Sequence, residues 1–382
     1  MGAGITSGEC SEQDTVNISQ EAVSSWLHTS LDVCFKAIVV PIIWCLGIVT
    51  NLTFLFVIVR VRKLRSDTNI YLAHLSLADF LYLSLGSIYD IRSYTASVVA
   101  FHDPFANSAQ CVGFFTVINT GYFASVALVT MVSFERFLAL CHPMKHLKIR
   151  GRRRTHRMIA ICWLVGLLFS ASTVPRVLVL NVVCLQWPDV DAFLDYPSSH
   201  AYCGPVSPWV NYFIPPLLNL PWITAMMANV FMYVRILQML NKRTSDLNIR
   251  PTVKKDHNAT HIRNQVAKML VANGTVFFLC QAPYRIFSLS RWICLLAQIP
   301  DPFRAALGSG TIWISVVPQN INAMINPLIY GAVNPAYRSA IRVAFKCKSQ
   351  ARRQNTSVSV VRGTEQNNAT ALAIDEDIET RL

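Results

Sequence analysis

Two places in the sequence put charged side chains where charge is costly, and both could do chemistry. Asp79 stands inside an apolar stretch, Leu75-Ser76-Leu77-Ala78-Asp79. An ionised carboxylate at membrane depth is functional by default, because it is retained only where something holds it. Oxygen donors around such a group suit a hard cation, or buried waters that bind without further consequence. Glu135 and Arg136 are neighbours at the end of another apolar run. A pair like this is either a solvated ion pair worth about 1 kcal/mol or less, or a contact made in one state and released in another. The 11 cysteines form no CxxC pair and no Cys/His cluster. A metal centre is therefore not expected, whereas extracellular disulfides are open. No nucleophile stands beside a base, so the chain does not read as an enzyme. Asn17-Ile-Ser19 is a glycosylation acceptor.

These residues must be positioned by membrane helices. The 382 residues are 53% hydrophobic and 14% charged, with a mean hydropathy of +0.37. Soluble domains carry about 25% charged residues. Apolar segments at 35–60, 69–92, 110–141, 157–179, 208–240, 264–295 and 305–332 are each long enough to span a bilayer. The fold class expected is an all-α membrane protein: a seven-transmembrane helix bundle with a short amphipathic eighth helix. Residues 1–33 contain no Lys or Arg, whereas the loops after the first, third and fifth spans are strongly basic. That alternation places the N-terminus outside and the C-terminus inside a plasma membrane. It also accounts for the net charge of +13 without nucleic acid. The start MGAGIT fits a myristoylation pattern that an outside N-terminus rules out. The expected organisation is an extracellular tail 1–33, a bundle 34–333, an amphipathic helix 334–348 and a disordered cytoplasmic tail 349–382. A transporter or channel would need ionisable residues on several spans, and only Asp79 qualifies.

The markers occur in order along the chain: Asn51; the stretch to Asp79; Cys111 and Glu135-Arg136-Phe137; Trp163; Pro221; Phe277-x-x-Cys280-x-x-Pro283-Tyr284; and Asn326-Pro327-Leu328-Ile329-Tyr330. Over roughly residues 33–348 the chain resembles the rhodopsin-like (class A) G-protein-coupled receptors. The resemblance implies a role for each marker. Asp79 with Ser125, Asn322 and Asn326 matches an allosteric sodium site. Arg136 would pair locally at rest and face a heterotrimeric G protein when the sixth helix swings out, with Phe277, Pro283, Pro327 and Tyr330 in that movement. Met144 in the second inner loop would contact the G protein. Cys111 would pair with Cys203, which lies nearer the fifth helix than its competitor Cys184. Cys184 could then pair with Cys10, Cys34 or Cys294, or stay free. Cys347 would be palmitoylated, or remain a thiol, and Ser/Thr residues of the tail would be phosphorylated to recruit arrestin.

The ligand is narrowed by departures. Ile118 stands where an amine receptor has its acid, and Asn320 where an opsin has its lysine. Both classes are excluded on those grounds. The stretch Gln265–Leu270 with Pro283-Tyr284-Arg285 resembles thyrotropin-releasing-hormone and neuromedin U receptors. Val174-Pro175-Arg176, with Asn229 and Tyr233, resembles FMRFamide receptors. The implied ligand is a short amidated neuropeptide, and the implied coupling is to Gq; a lipid or other small molecule, or constitutive activity without a ligand, is the runner-up. Gln281 replaces the tryptophan usual two residues before Pro283. Candidate ligand contacts are Tyr89, Asp90, Ile118, Asn119, Gln281, Tyr284, Arg285 and Val316. For the polar ones an interhelical hydrogen bond is the alternative, and for Arg285 an outward, solvent-seeking pose.

Overall fold

The computed structural model describes residues 14–249 and 254–345. Eight helices dominate: α1 (Val40–Arg60), α2 (Asp67–Ala96), α3 (Ser108–Cys141), α4 (Arg152–Thr173), α5 (Val210–Ile249), α6 (Lys254–Ala297), α7 (Gly310–Val333) and α8 (Pro335–Phe345). Helical turns from Ser30 lead into α1. They start at a capping box, in which Thr29 Oγ1 accepts from the Asp32 amide and Asp32 accepts from that of Thr29. Among the described residues, five helices are long and apolar enough to cross a membrane by composition alone: Ser30–Arg60, Asp67–Ala96, Ser108–Cys141, Arg152–Arg176 and Val210–Lys242. α6 and α7 are more polar yet pack in the same bundle, α6 against α5 and α7, and α7 against α1 and α2. The polar residues of α7 are turned inward: Ser315, Gln319, Asn320, Asn322 and Asn326 are all buried. A helix that hides its polar groups inside a bundle can still show lipid an apolar face.

Close helix approach follows from small residues. A Cβ on Gly166 of α4 would lie 2.9 Å from the Ala124 amide nitrogen and 3.0 Å from the Thr120 carbonyl, so α4 packs on α3 through a bare backbone. Proline kinks are repaired by side chains. Pro327 has no N–H for the carbonyl of Ala323, and Asn51 Nδ2 donates to that oxygen instead, at 2.9 Å. In α5, which contains Pro215, Pro216 and Pro221, the Tyr212 carbonyl that Pro216 leaves without an amide accepts from Trp292 Nε1 of α6 at 2.8 Å.

The structure corrects two helix boundaries. The fourth apolar segment does not stay helical to 179. α4 ends at Thr173, Pro175 sits in a tight turn, and the β-branched run that follows forms a strand. Strands β1 (Thr15–Asn17), β2 (Val179–Gln186) and β3 (Ser199–Gly204) make one sheet in that order, β1 parallel and β3 antiparallel to β2. The seventh segment breaks at Gly308, whose φ of +55° follows the short helix Pro302–Leu307 and separates it from α7. The eighth helix is present over Pro335–Phe345, with Tyr337, Ala340 and Ala344 buried on one face. Cys347, Cys10 and the tail 349–382 lie outside the described residues. The molecule thus has a sheet end and, opposite it, a basic end.

Candidate functional site

At the sheet end, Cys111 at the start of α3 is disulfide-bonded to Cys203 of β3. Cys184 is also disulfide-bonded. Cys34 and Cys294 are free thiols, which removes them as its partners. Asp103, between α2 and α3, accepts from the Tyr89 hydroxyl and, at 2.5 Å, from the Cys203 amide. Tyr89 therefore acts as a strut between α2 and the sheet, packed among Phe105, Phe114 and Phe115. Asn17 is exposed in β1, as a glycan acceptor must be.

A cavity of about 370 Å³ opens between α5, α6 and α7, with Arg176 from the turn after α4 on its wall. Of the expected ligand contacts, Tyr284 and Val316 line it, whereas Tyr89, Asp90, Ile118, Asn119, Gln281 and Arg285 do not. Asn119 Nδ2 donates to Thr173 Oγ1 of α4 at 3.3 Å, an interhelical hydrogen bond. Ile118 points towards Gly86 of α2. Arg285 does not reach out to solvent, for it is 3% exposed. Its Nη1 donates to the Leu218 carbonyl at 3.1 Å, and its guanidinium lies over the rings of Tyr122 (4.7 Å) and Tyr284 (5.0 Å). Two aromatic faces and a carbonyl can hold a cation in the bundle without a carboxylate. Gln281 is buried, and its Oε1 has no hydrogen-bond partner among the described residues. Sequence reasoning passed over Arg291, Trp292, Phe287 and Asn211 as cavity residues. Their apolar and polar types alternate along helices with no motif to mark them.

Halfway down the bundle, Asp79 is buried and bridges two helices. Ser125 Oγ of α3 donates to its Oδ1 at 2.8 Å, and Asn326 Nδ2 of α7 donates to its Oδ2 at 2.5 Å. Asn322 is buried on α7, and the Oδ1 atoms of Asn322 and Asn326 lack partners among the described residues. A buried carboxylate with a hydroxyl and unsatisfied amide oxygens matches the donor set of a hard cation or of ordered water.

At the basic end Glu135 and Arg136 each meet side chains of other elements. Glu135 Oε1 meets Nη2 of Arg154, in the first turn of α4, at 2.7 Å, and Oε2 lies 3.8 Å from His146. Arg136 instead donates from Nη2 to Thr68 Oγ1 of α2 at 2.5 Å. Successive residues on a helix point about 100° apart, so a neighbour in sequence is a poor partner, whereas α4 and the inner helix Pro143–Ile149 face Glu135 directly. In sequence, Arg154 looks like one more loop charge. Met144, on that inner helix, is 69% exposed. Leu140, Ile236, Leu240 and Ala267 form a buried cluster that closes α5 and α6 onto α3, with Phe137 packed against it. Tyr233 bonds Ser133 at 2.9 Å. Asn273 Nδ2 of α6 donates to the Tyr330 hydroxyl at 3.4 Å, and Tyr330 is buried beside Phe54. Phe277 is buried edge-on to Phe278 in the main core, six residues before the break in α6 hydrogen bonding at Pro283.

The comparisons agree with this arrangement. Residues 50–330 match the family model described as 7 transmembrane receptor (rhodopsin family). Neuromedin-U receptor 2 of Mus musculus is 26% identical over 320 residues, covering 82% of this chain and 76% of its own length. Somatostatin receptor type 2 of Mus musculus is 25% identical over 302 residues, 79% of this chain and 74% of its own. Type-1 angiotensin II receptor B of Xenopus laevis is 25% identical over 375 residues, 95% and 93% of the two chains. A bundle that holds a cavity at its sheet end and a closed ionic cluster at its basic end, with this match across all seven helices, makes the chain a member of the rhodopsin family of seven-transmembrane receptors, a family of G-protein-coupled receptors and not of enzymes.

Proposed function

We propose that the chain sits in the plasma membrane with its sheet end outside, binds a short extracellular peptide, and activates a heterotrimeric G protein of the Gq type from its basic end. The observation that carries this reading is the pairing of a cavity of about 370 Å³ at one end with a closable α3–α5–α6 cluster at the other. A cavity of that size admits the end of a peptide but not its whole length. The relatives named for neuromedin U, somatostatin and angiotensin II support a peptide over a lipid. The basic loops support the orientation.

In the resting form, α6 lies against α3, and Glu135 is held by Arg154. Outward movement of α6 would open the space beside Arg136 and expose it, together with Met144, to the G protein. Tyr330 is placed to follow, because its hydroxyl is already bonded to α6. Asp79 and Ser125 would hold a sodium ion, with the free amide oxygens of Asn322 and Asn326 completing the set; bound there, the ion would supply the charge that favours the closed bundle. Arrestin binding to a phosphorylated tail and palmitoylation of Cys347 belong to the same reading.

The test is a screen of cells expressing the full chain against a neuropeptide library, reading inositol phosphate beside cyclic AMP. A peptide that raises inositol phosphate, insensitive to pertussis toxin, is the expected result. A response blocked by pertussis toxin overturns the Gq assignment alone, and a library with no active member overturns the peptide ligand.

A further inference from the structure

We infer that the cavity between α5, α6 and α7 recognises a carboxylate on the peptide, gripped between Arg176 and Arg291. The inference rests on the peptide-receptor reading and names the chemistry that the pocket selects. Both arginines line the cavity, one in the turn after α4 and one on α6, and no aspartate or glutamate lines it. Among the described residues, neither has a carboxylate within 4 Å. The loops on this side of the molecule hold more acid than base: the connection 298–309 carries Asp301 and Arg304. The loop 177–209 has no Lys or Arg but carries Asp189, Asp191 and Asp195, and the loop 97–107 carries only Asp103. Two cations converging on one cavity, against acidic surroundings, mark a place where negative charge is wanted.

The wall beside Arg291 is fixed across two helices. Trp292, next to Arg291, donates from Nε1 to the Tyr212 carbonyl at 2.8 Å and so ties α6 to α5. Tyr284 and Phe287 supply aromatic lining. A guanidinium matches a carboxylate through two parallel N–H···O bonds, which are stronger than bonds to a neutral amide. A cationic ligand terminus would be repelled. The resemblance to amidated-peptide receptors implied a neutral C-terminus; these two arginines favour an acid, either a free C-terminal carboxylate or an Asp or Glu side chain.

Two measurements on the full-length protein test this. The first is saturation-transfer NMR with N-acetyl-phenylalanine and N-acetyl-phenylalanine amide, a matched pair small enough for the cavity. Binding of the acid but not the amide, lost in both Arg176→Gln and Arg291→Gln, is expected. Equal signals from the pair, no signal from the acid, or acid binding that survives both substitutions overturns the proposal. The second synthesises each active library peptide as acid and as amide, with and without Asp→Asn and Glu→Gln changes. A loss of at least about tenfold in potency on amidation points to the terminal carboxylate, and the same loss on side-chain neutralisation points to an acidic residue. Potency that survives both changes overturns the carboxylate grip while leaving the receptor reading intact. A library without any active peptide overturns the peptide reading, and the fragment pair then decides the anion site alone.

Discussion

Replacing Arg154 with alanine should raise signalling in the absence of any ligand. The guanidinium meets Glu135 at 2.7 Å, and the two side chains are 25% and 12% exposed. Fully exposed pairs contribute about 0.2–1 kcal/mol. Two unit charges about 4 Å apart at an effective dielectric near 20 interact by about 4 kcal/mol before desolvation is subtracted. A mostly buried pair with one good contact falls between these limits, and about 1.4 kcal/mol is a fair working value. If opening of the basic end breaks the pair, its loss shifts the resting-to-active ratio by about tenfold. The assay is inositol phosphate accumulation without agonist, normalised to receptor at the cell surface. Glu135→Gln should have the same sign. The double exchange Glu135→Arg with Arg154→Glu should return basal signalling towards the starting value, because attraction is restored in reverse. Unchanged basal signalling in Arg154→Ala at equal surface expression would refute the reasoning. It would mean that the pair persists in the active form, or that Arg136 alone carries the constraint. Full agonist response in Arg136→Ala would count against the reading of Arg136 as the group that opening presents to the G protein.

Four further outcomes follow from the geometry. Cys203→Ser should abolish surface display, since the bridge to Cys111 spans 92 positions and closing such a loop is worth about 4–5 kcal/mol in the chain-entropy picture; normal display with intact binding would refute it. Met144→Ala should weaken G-protein coupling yet leave thermal stability within about 0.5 kcal/mol, because the side chain is exposed; nucleotide-exchange assays and a melting curve separate the two. Asp79→Asn should remove any sodium dependence of agonist affinity, and agonist binding that ignores sodium in the unmodified protein would show a merely hydrated carboxylate. In the sheet, burial and the neighbouring His102 hold the His200 imidazole down to about 4. The unfolded chain then binds the extra proton over the interval from about 6.5 down to 4, so stability falls as pH drops through that window. Melting temperatures of the purified protein at pH 7 and pH 5 should show the loss, and His200→Gln should reduce it.

The sequence by itself determined the number of spans, the alternation of charge between their loops and the positions of Asp79, Glu135-Arg136, Cys111 and Cys203. These are properties of hydropathy, of loop charge and of side chains whose burial has few acceptable solutions. It overran at Thr173, because a β-branched apolar run reads alike as the end of a helix or as a strand; the pairing of Val179 with Gly204 decides that, and it is a contact with a distant segment. It also named six ligand contacts that do not line the cavity. A residue's type does not say which way a helix is rotated, and a rotation of one position exchanges an inward for an interhelical side chain. Only the tertiary structure decided that Glu135 belongs to Arg154, that Arg285 is held by two tyrosine rings and a carbonyl, that Asn51 replaces the hydrogen bond lost at Pro327, and that Arg176 and Arg291 meet at one cavity. Apart from the Tyr284 ring beside Arg285, each joins residues on different elements, whose meeting depends on how the helices cross and not on any local spacing.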